Sequence, residues 1–374
     1  MSDTTYAVFE ELSKRGHEQV VFCSDEASGL KAIIAIHDTI LGPALGGCRM
    51  FPYGSEKEAL TDVLRLSRGM TYKAAVSGLD LGGGKSVIIG DPKKQKSELL
   101  FRALGRFIEG LGGRYITAED SGTTMQDMEF MRKETSHVVG ISRSFGGSGD
   151  PSPVTALGVF SGIQAAVEEH LGKNTLAGLR VAVQGVGHVG YHLVGHLVRA
   201  GCKVIVADVD QDSLKKTCAD HKVESVPVDK IYDVDCDIFA PCAMGASINE
   251  GTIPRLKCSI IAGAANNQLL NEKTDAAMLA TKGILYAPDY VINAGGLINV
   301  SNELQGYNQE YALQQAEGIY DILKNVFMVA KRENIPTFRA ADDLAMQRIE
   351  AIQRVRRTYT GMKPTLERTR LRGA

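Results

Sequence analysis

The sequence contains no run of about 18 apolar residues, the length a membrane-spanning helix requires, so no membrane segment is expected. It also lacks an excess of either charge. Forty-two Lys and Arg stand against 44 Asp and Glu, and a formal charge of -2 provides no field for a polyanion, which argues against nucleic acid as a partner. None of the seven cysteines (Cys23, Cys48, Cys202, Cys218, Cys236, Cys242, Cys258) forms a C-x2-C pair, and their number is odd. This pattern reads as reduced, buried thiols in a cytoplasmic protein. The opening Met1-Ser2-Asp3-Thr4-Thr5 lacks the charged and apolar zones of a signal peptide. There is no internal repeat and no low-complexity stretch.

What is present is a chain of 374 residues, beyond the roughly 250 to 300 at which single cores stop growing, so two domains are expected. Hydrophobic residues make up 44% and charged residues 23%, enough apolar surface for an ordered globular body. Strand and helix signals alternate. Ala32–Ile36 reads as a strand, Ser55-x-x-Glu58 as a capping box, Val87–Ile89 as a strand, a stretch from Ser97 as an amphipathic helix, and Tyr115–Ala118 as a strand. The breaker-rich Phe145–Pro151 marks a boundary. After it come strands at Arg180–Gln184, Lys203–Asp208, Cys236–Ala240 and Ser259–Ala262. The apolar stripe Ala316, Ile319, Ile322, Leu323, Val326 and Val329 is expected to lead the chain back to the first domain. The expectation is an α/β protein of two domains. Residues 1–148 are expected to form a first α/β domain, 149–330 a second, Rossmann-type, doubly wound domain, and 331–374 a helical segment returning to the first.

The second domain opens with Val181-Ala182-Val183-Gln184-Gly185-Val186-Gly187-His188-Val189-Gly190, a β-branched run feeding a complete G-x-G-x-x-G at the start of a helix. Gly185 permits a tight turn, Gly187 lets backbone approach a pyrophosphate, and Gly190 lets helix pack on strand. Asp208 ends the next strand, 18 residues beyond Gly190, where a carboxylate bonds the adenosine ribose. That carboxylate would repel a 2′-phosphate, so NAD is favoured over NADP. Gly84-Lys85-Ser86 imitates the end of a P-loop, but the glycine needed five positions before Gly84 is Leu79.

Lys73, in Gly69-Met70-Thr71-Tyr72-Lys73-Ala74-Ala75, and Lys85, in Gly82-Gly83-Gly84-Lys85-Ser86, lie 12 residues apart in weakly polar surroundings. An amine held in a dry pocket beside another cation loses basicity and can exchange protons near neutral pH. Asp120, in Thr117-Ala118-Glu119-Asp120-Ser121-Gly122, adds a carboxylate at a strand end. The bland alternative puts the lysines on flexible glycine turns and makes Asp120 a helix cap. Oxidation of an amino acid at Cα leaves an iminium, whose hydrolysis needs a base for water, a cation for the carboxylate and a proton carrier for ammonia. Two lysines and an aspartate supply those parts.

At these residues the chain resembles the leucine dehydrogenases of the glutamate/leucine/phenylalanine/valine dehydrogenase superfamily over nearly its whole length. The likeness rests on Gly42–Met50, the two lysine motifs, Thr117–Gly122, Pro151–Ala156, the glycine fingerprint, Ala240–Ala243, Ala264–Gln268 and Pro288–Val300. The resemblance implies that Lys85 activates water, Lys73 holds the substrate carboxylate and Asp120 handles protons at the amine. It implies that Leu45, Gly46, Gly47, Met70, Ala118, Asn293, Leu297 and Val300 surround the substrate. The dinucleotide would meet Thr155, Gly185, Val186, Gly187, His188, Val189, Gly190, Tyr191, Asp208, Cys242, Ala243 and Asn266. It further implies reversible oxidative deamination of branched-chain L-amino acids (leucine, also valine and isoleucine) to 2-oxo acids and ammonia, by a homo-oligomer that is an octamer in such enzymes.

Glutamate members carry a lysine where this chain has Leu45 and a serine where it has Val300. An apolar pair cannot offset the desolvation of a second carboxylate. Leu297, often valine in leucine enzymes, can narrow the pocket toward valine or isoleucine. A phenylalanine or valine dehydrogenase is the near alternative. A non-catalytic NAD-binding protein of the same fold is the distant one, and it has no need of Lys73, Lys85 and Asp120 together. His188, His192 and His196 share a helix face but lack a ligating carboxylate, so no metal is expected. The basic residues Arg354, Arg356, Arg357, Arg368, Arg370 and Arg372, interrupted by Glu350 and Glu367, read as a solvated or subunit-contacting tail.

Overall fold

The computed structural model describes residues 8–243 and 245–355. Except for Arg354, the basic tail lies outside them. The contacts divide the chain into two compact units. One holds the described residues up to Asp150, then Val300–Asn308 and the chain from Ala345; the other holds Pro151–Asn299 and Gln309–Leu344.

In the first unit, helix α1 (Val8–Arg15) precedes strands β1 (Gln19–Asp25), β2 (Leu30–Asp38) and β3 (Ala44–Phe51). Helix α2 (Glu56–Val76), strand β4 (Gly82–Ile89), helix α3 (Glu98–Glu109), strand β5 (Tyr115–Glu119) and helix α4 (Met125–Arg132) follow. The sheet order is β1-β2-β4-β3-β5, with β2 antiparallel to both β1 and β4 and β3 parallel to both its neighbours. The run Ala32–Ile36 is buried on both faces, as a central strand should be. Ile34, Ile36, Met50, Ile88 and Tyr115 face Leu104 and Met128 of α3 and α4. Ile33, Ala35 and Val87 face Ala59, Leu60, Val63 and Leu64 of α2. Ser55 caps α2 by accepting from Glu58 N at 3.1 Å, but the Glu58 carboxylate accepts from Gly54 N at 2.9 Å, so the capping box is half made.

Two histidines pack against α2. His17 Nε2 lies 2.9 Å from Ser67 Oγ, and His37 Nδ1 lies 2.8 Å from Thr71 Oγ1, the rings meeting edge-on at 4.8 Å. Burial above all, with neighbouring positive charge, pulls both from 6.5 to about 4. A histidine depressed by folding contributes stability that is intact above pH 6.5 and is lost as pH falls toward 4. Thermal melts are therefore expected to shift downward over that window by the equivalent of a few kcal/mol, at about 1.4 kcal/mol per pKa unit. A His37→Gln variant should show a flatter dependence; an identical slope would clear these rings as the cause.

In the second unit, helix α5 (Ser152–Leu171) leads to strand β6 (Arg180–Gln184), helix α6 (His188–Arg199) and strand β7 (Lys203–Ala207). Strands β8 (Glu224–Ser225), β9 (Ile238–Pro241), β10 (Ile260–Ile261) and β11 (Leu285–Tyr286) complete a sheet of order β11-β10-β9-β6-β7-β8. All pairings are parallel. The chain winds outward twice from the β6–β9 pair, which is the doubly wound Rossmann order, with the switch point beside the glycine turn.

Two expectations about the chain's path are corrected. The stripe from Ala316 to Val329 does not return to the first unit. The helix Ile319–Glu333 lies on α5, where Gly158 and Gly162 form a groove: a Cβ at Gly158 would stand 2.5 Å from Ile319, and one at Gly162 2.7 Å from Leu323. The expected partition at 330/331 also shifts. Residues 331–344 stay with the second unit, where Thr337 Oγ1 donates to Tyr286 O at 2.6 Å and Tyr290 Oη to Asp342 at 2.7 Å. Val300–Asn308 belongs to the first unit because the Glu303 carboxylate accepts from Gly140 N at 3.1 Å and Ser148 N at 2.8 Å. The return begins at Ala345, which packs with Ile349 on Leu41 and Ala75, while Arg348 binds Leu79 O at 2.6 Å and Asp80 at 2.7 Å. No helix among the described residues is long and apolar enough to cross a membrane.

Candidate active site

The triglycine before Lys85 is not a flexible turn but the start of β4, buried throughout. Its glycines are required by close approach. A Cβ on Gly83 would stand 2.1 Å from Thr71 N and 2.6 Å from Ser67 O on α2; one on Gly46 would meet Gly84 O at 1.7 Å. Helix and strands thus touch backbone to backbone, and the lysine following the glycines is carried into the interior. Lys85 is 5% exposed. Its Nζ lies 2.7 Å from Asp120 Oδ2, just beyond the end of β5.

Asp120 is held in place by its own loop. Its N–H donates to Thr123 Oγ1 at 2.9 Å, and Thr123 Oγ1 donates to Cys48 O at 2.8 Å. Burial works to raise the Asp120 carboxyl, but Lys85 and then Arg49, whose Nε lies 3.1 Å away, outweigh it and bring the group from 3.8 to about 2. At neutral pH it is therefore a carboxylate and an acceptor. Thr124 caps α4 with Asp127, so Asp120 is not that helix's cap.

Against the Lys85 amine the structure sets a carboxylate, that of Asp120. Lys73 sits half-buried in the last turn of α2, with Met70 one turn earlier touching the space over Gly46, 3.3 Å from its Cβ position. A Cβ on Gly47 would stand 2.8 Å from that of Asp120, and Gly47 pairs with the buried Ala118 of β5. Leu45 is buried on β3. The first unit thus gathers Gly46, Gly47, Met70, Lys85, Ala118 and Asp120 into one neighbourhood. Arg49, Asp62 and Tyr53 also belong to it, and sequence reading gave them no role, because Arg49 and Asp120 are 71 positions apart and nothing local links them.

In the second unit the glycine turn has the shape its spacing predicts. Gly185 has φ +96°, and a Cβ there would meet Ala243 N at 2.7 Å; a Cβ on Gly190 would meet Gly185 O at 2.1 Å. Gly187 has nothing within 4 Å of its Cβ position and is exposed with His188 at the α6 N-terminus. An uncovered glycine beside free helix amides fits a pyrophosphate. Asp208 Oδ2 accepts from Val186 N at 2.6 Å and Oδ1 from Asp210 N at 2.8 Å, so the carboxylate braces the turn and Val186 gives its amide to the protein.

Tyr191, at the end of the expected cofactor stretch, donates its hydroxyl to Asp220 at 2.8 Å, and its ring lies 4.7 Å from that of His221. Cys242 N donates to Gln184 O at 2.7 Å, and burial pushes the Cys242 thiol up to about 12. Asn293 Nδ2 donates to Asn266 Oδ1 at 2.6 Å and Ala264 O at 3.0 Å. Thr155 Oγ1 donates to Pro151 O at 2.9 Å and lies 3.0 Å from the Cβ position of Gly296. Leu297 and Val300 share the helix Gly295–Ser301 and are buried. His196 stacks on Phe160 at 5.4 Å, and no group of three His, Cys, Asp or Glu among the described residues is placed to hold a metal.

Comparison with known proteins matches residues 17–137 to the Glu/Leu/Phe/Val dehydrogenase dimerisation-domain family, and residues 146–214 and 206–357 to the Glutamate/Leucine/Phenylalanine/Valine dehydrogenase family. The chain is 58% identical over 352 residues to a leucine dehydrogenase of Thermoactinomyces intermedius, covering 94% of this chain and 96% of that one. It is 49% identical over 353 residues to a phenylalanine dehydrogenase of the same organism, covering 94% and 96%. The crystal structure of L-tryptophan dehydrogenase from Nostoc punctiforme superposes with a TM-score of 0.83 at 49% identity, covering 92% of this chain and 99% of that one.

Proposed function

We propose, for a chain that belongs to the glutamate/leucine/phenylalanine/valine dehydrogenase family and is therefore an amino-acid dehydrogenase, that it deaminates branched-chain L-amino acids with NAD. The observation that carries the reading is the buried Lys85 amine set 2.7 Å from the half-buried Asp120 carboxylate, an acid and a base held together where strands and helix touch backbone to backbone. Bound NAD supplies the acceptor for the Cα hydride. The chain's own groups do the rest. Lys73 holds the substrate carboxylate with the amides of Gly46 and Gly47. Lys85 takes the proton of the water that adds to the iminium carbon, and Asp120 passes protons to and from the departing amine.

Each Asp208 oxygen accepts one amide, leaving a lone pair for a ribose hydroxyl and a charge that repels a 2′-phosphate. Leu45, Ala118, Leu297 and Val300 are apolar and buried, so a substrate side chain that meets them must be apolar. The similarity to leucine enzymes favours leucine, valine and isoleucine. The phenylalanine and tryptophan relatives motivate an aromatic alternative. A homo-oligomer, octameric by the same resemblance, completes the reading, and light scattering would size it.

The test is NADH formation with leucine, valine, isoleucine, phenylalanine, tryptophan and glutamate in turn. The branched substrates are expected to lie within about 200-fold of one another in kcat/KM, since a methylene discriminates by roughly 1 to 3 kcal/mol. Glutamate should be slower than all of them by orders of magnitude. Fastest turnover with glutamate, or with NADP in place of NAD, would overturn the assignment of these pockets.

A further inference from the structure

Asp120 Oδ2 has two cationic partners, Lys85 Nζ at 2.7 Å and Arg49 Nε at 3.1 Å. Arg49 lies on β3, between the strands that carry the other two: it pairs with Val87 of β4, and its neighbour Cys48 pairs with Glu119 of β5. Val87 and Lys85 are two residues apart on β4, so Arg49 and Lys85 project to the same face of the sheet. From behind, Arg49 NH1 is held by Asp62 Oδ2 of α2 at 3.0 Å. That oxygen also accepts from Tyr53 Oη at 2.8 Å, and Oδ1 accepts from Arg65 at 3.0 Å. The charges alternate along a line from the reacting group outward: Lys85, Asp120, Arg49, Asp62, Arg65. Asp62 is held below its ordinary range against burial by Tyr53 and the two arginines, and Arg49 is raised despite burial by Asp120 and Asp62, so both stay charged across the working range.

We propose that Arg49, tethered by Asp62 and Tyr53, is a positioning residue for the Lys85–Asp120 pair. The inference rests on the reading of that pair as the catalytic acid and base. Two consequences follow from Coulomb's law and geometry. Arg49 fixes the direction in which Asp120 Oδ2 presents itself to Lys85. It also shares the carboxylate's charge, so that Asp120 alone does not hold the Lys85 proton. The charged and titratable groups facing this array are Lys85, Asp120, Asp62, Arg65, Tyr53 and the buried Cys48 thiol, which is pushed up to about 12 mainly by burial.

The array is reachable. A cleft of about 570 Å³, lined by Arg49, Phe51, Tyr53, Ser55, Asp62 and Arg65 among others, opens onto it. Free guanidinium can therefore enter where an arginine side chain has been removed.

The experiment measures kcat, KM and the pH–rate profile of the full-length protein with its best amino-acid substrate, for Arg49→Gln, Arg49→Lys, Arg49→Ala, Asp62→Asn and, in parallel, Lys85→Ala. Arg49→Gln is expected to lower kcat about 10- to 100-fold with KM nearly unchanged, and to move the ascending limb of the profile to higher pH, because Asp120 then acts on Lys85 undivided. Arg49→Lys should keep the limb in place. Millimolar guanidinium should restore part of the Arg49→Ala rate. Asp62→Asn should shift the limb in the same direction by less, and it carries the test if Arg49 variants fail to fold. A wild-type kcat and limb in Arg49→Gln, or a kcat loss that tracks a lower Tm with the limb unmoved, overturns the proposal. If Lys85→Ala keeps its turnover, the reading of the pair itself fails; if Lys85→Ala is inactive while Arg49→Gln is normal, only the positioning role fails.

Discussion

Replacing Lys85 with alanine is expected to lower turnover by about 10²- to 10⁴-fold, the range over which a positioned acid or base contributes, while dinucleotide affinity stays near wild type. The separation follows from where the groups sit. Lys85 and Asp120 belong to the sheet of the first unit, whereas Gly185, Gly187 and Asp208 belong to the second. The loss has two parts. The amine that deprotonates water is gone, and the half-buried Asp120 loses the nearer of the two cations that keep it ionised. A carboxyl so exposed to the burial penalty titrates at higher pH, so its proton-carrying step suffers too. Steady-state NADH formation measures the rate, and quenching of the bound cofactor's fluorescence measures affinity. Near-normal turnover would remove Lys85 from the mechanism, and loss of cofactor binding would show that the two units are not independent in this respect.

The second large effect is on folding. Gly83→Ala should lower stability by about 3 kcal/mol or more, at the top of the range for overpacking, because the new methyl would stand 2.1 Å from Thr71 N, a backbone atom that cannot swing aside. For a domain of this size that is a fall in Tm of about 6 to 12 °C. Gly69→Ala, on the same helix with nothing within 4 Å of its Cβ position, is the control and should be neutral or stabilising by up to about 1 kcal/mol. Two variants that melt alike would mean that α2 does not press on β4 as closely as described.

Local patterns were legible where chemistry and conformation come from neighbouring residues. The turn from β6 into α6, the spacing to Asp208 and the helix beginning at Ser97 needed only a few adjacent positions, and each glycine of the turn has the conformational reason its place predicts. The strand β3 was hidden. Its Ala44-Leu45-Gly46-Gly47-Cys48-Arg49 has little strand propensity, and it becomes central because β4 and β5 bond it on both sides. The triglycine of β4 resembles a loop for the same reason, and only the helix pressed on it shows why no side chain fits. The stripe at Ala316–Val329 was read correctly as a buried helix face but assigned to the wrong neighbour, since periodicity says that a face is buried and not against what.

By itself the sequence determined the alternation of strand and helix, the dinucleotide turn, and the identity of Lys85 and Asp120 as unusual charged residues in apolar company, because these are properties of short stretches. Only the tertiary structure decided that Lys85 meets the Asp120 carboxylate, that Arg49 and Asp62 stand behind that carboxylate, and that Tyr191 donates to Asp220. Those are choices of partner between residues 13 to 71 positions apart and on different elements. Such partners are selected by strand register and helix packing, and no pattern along the chain encodes them.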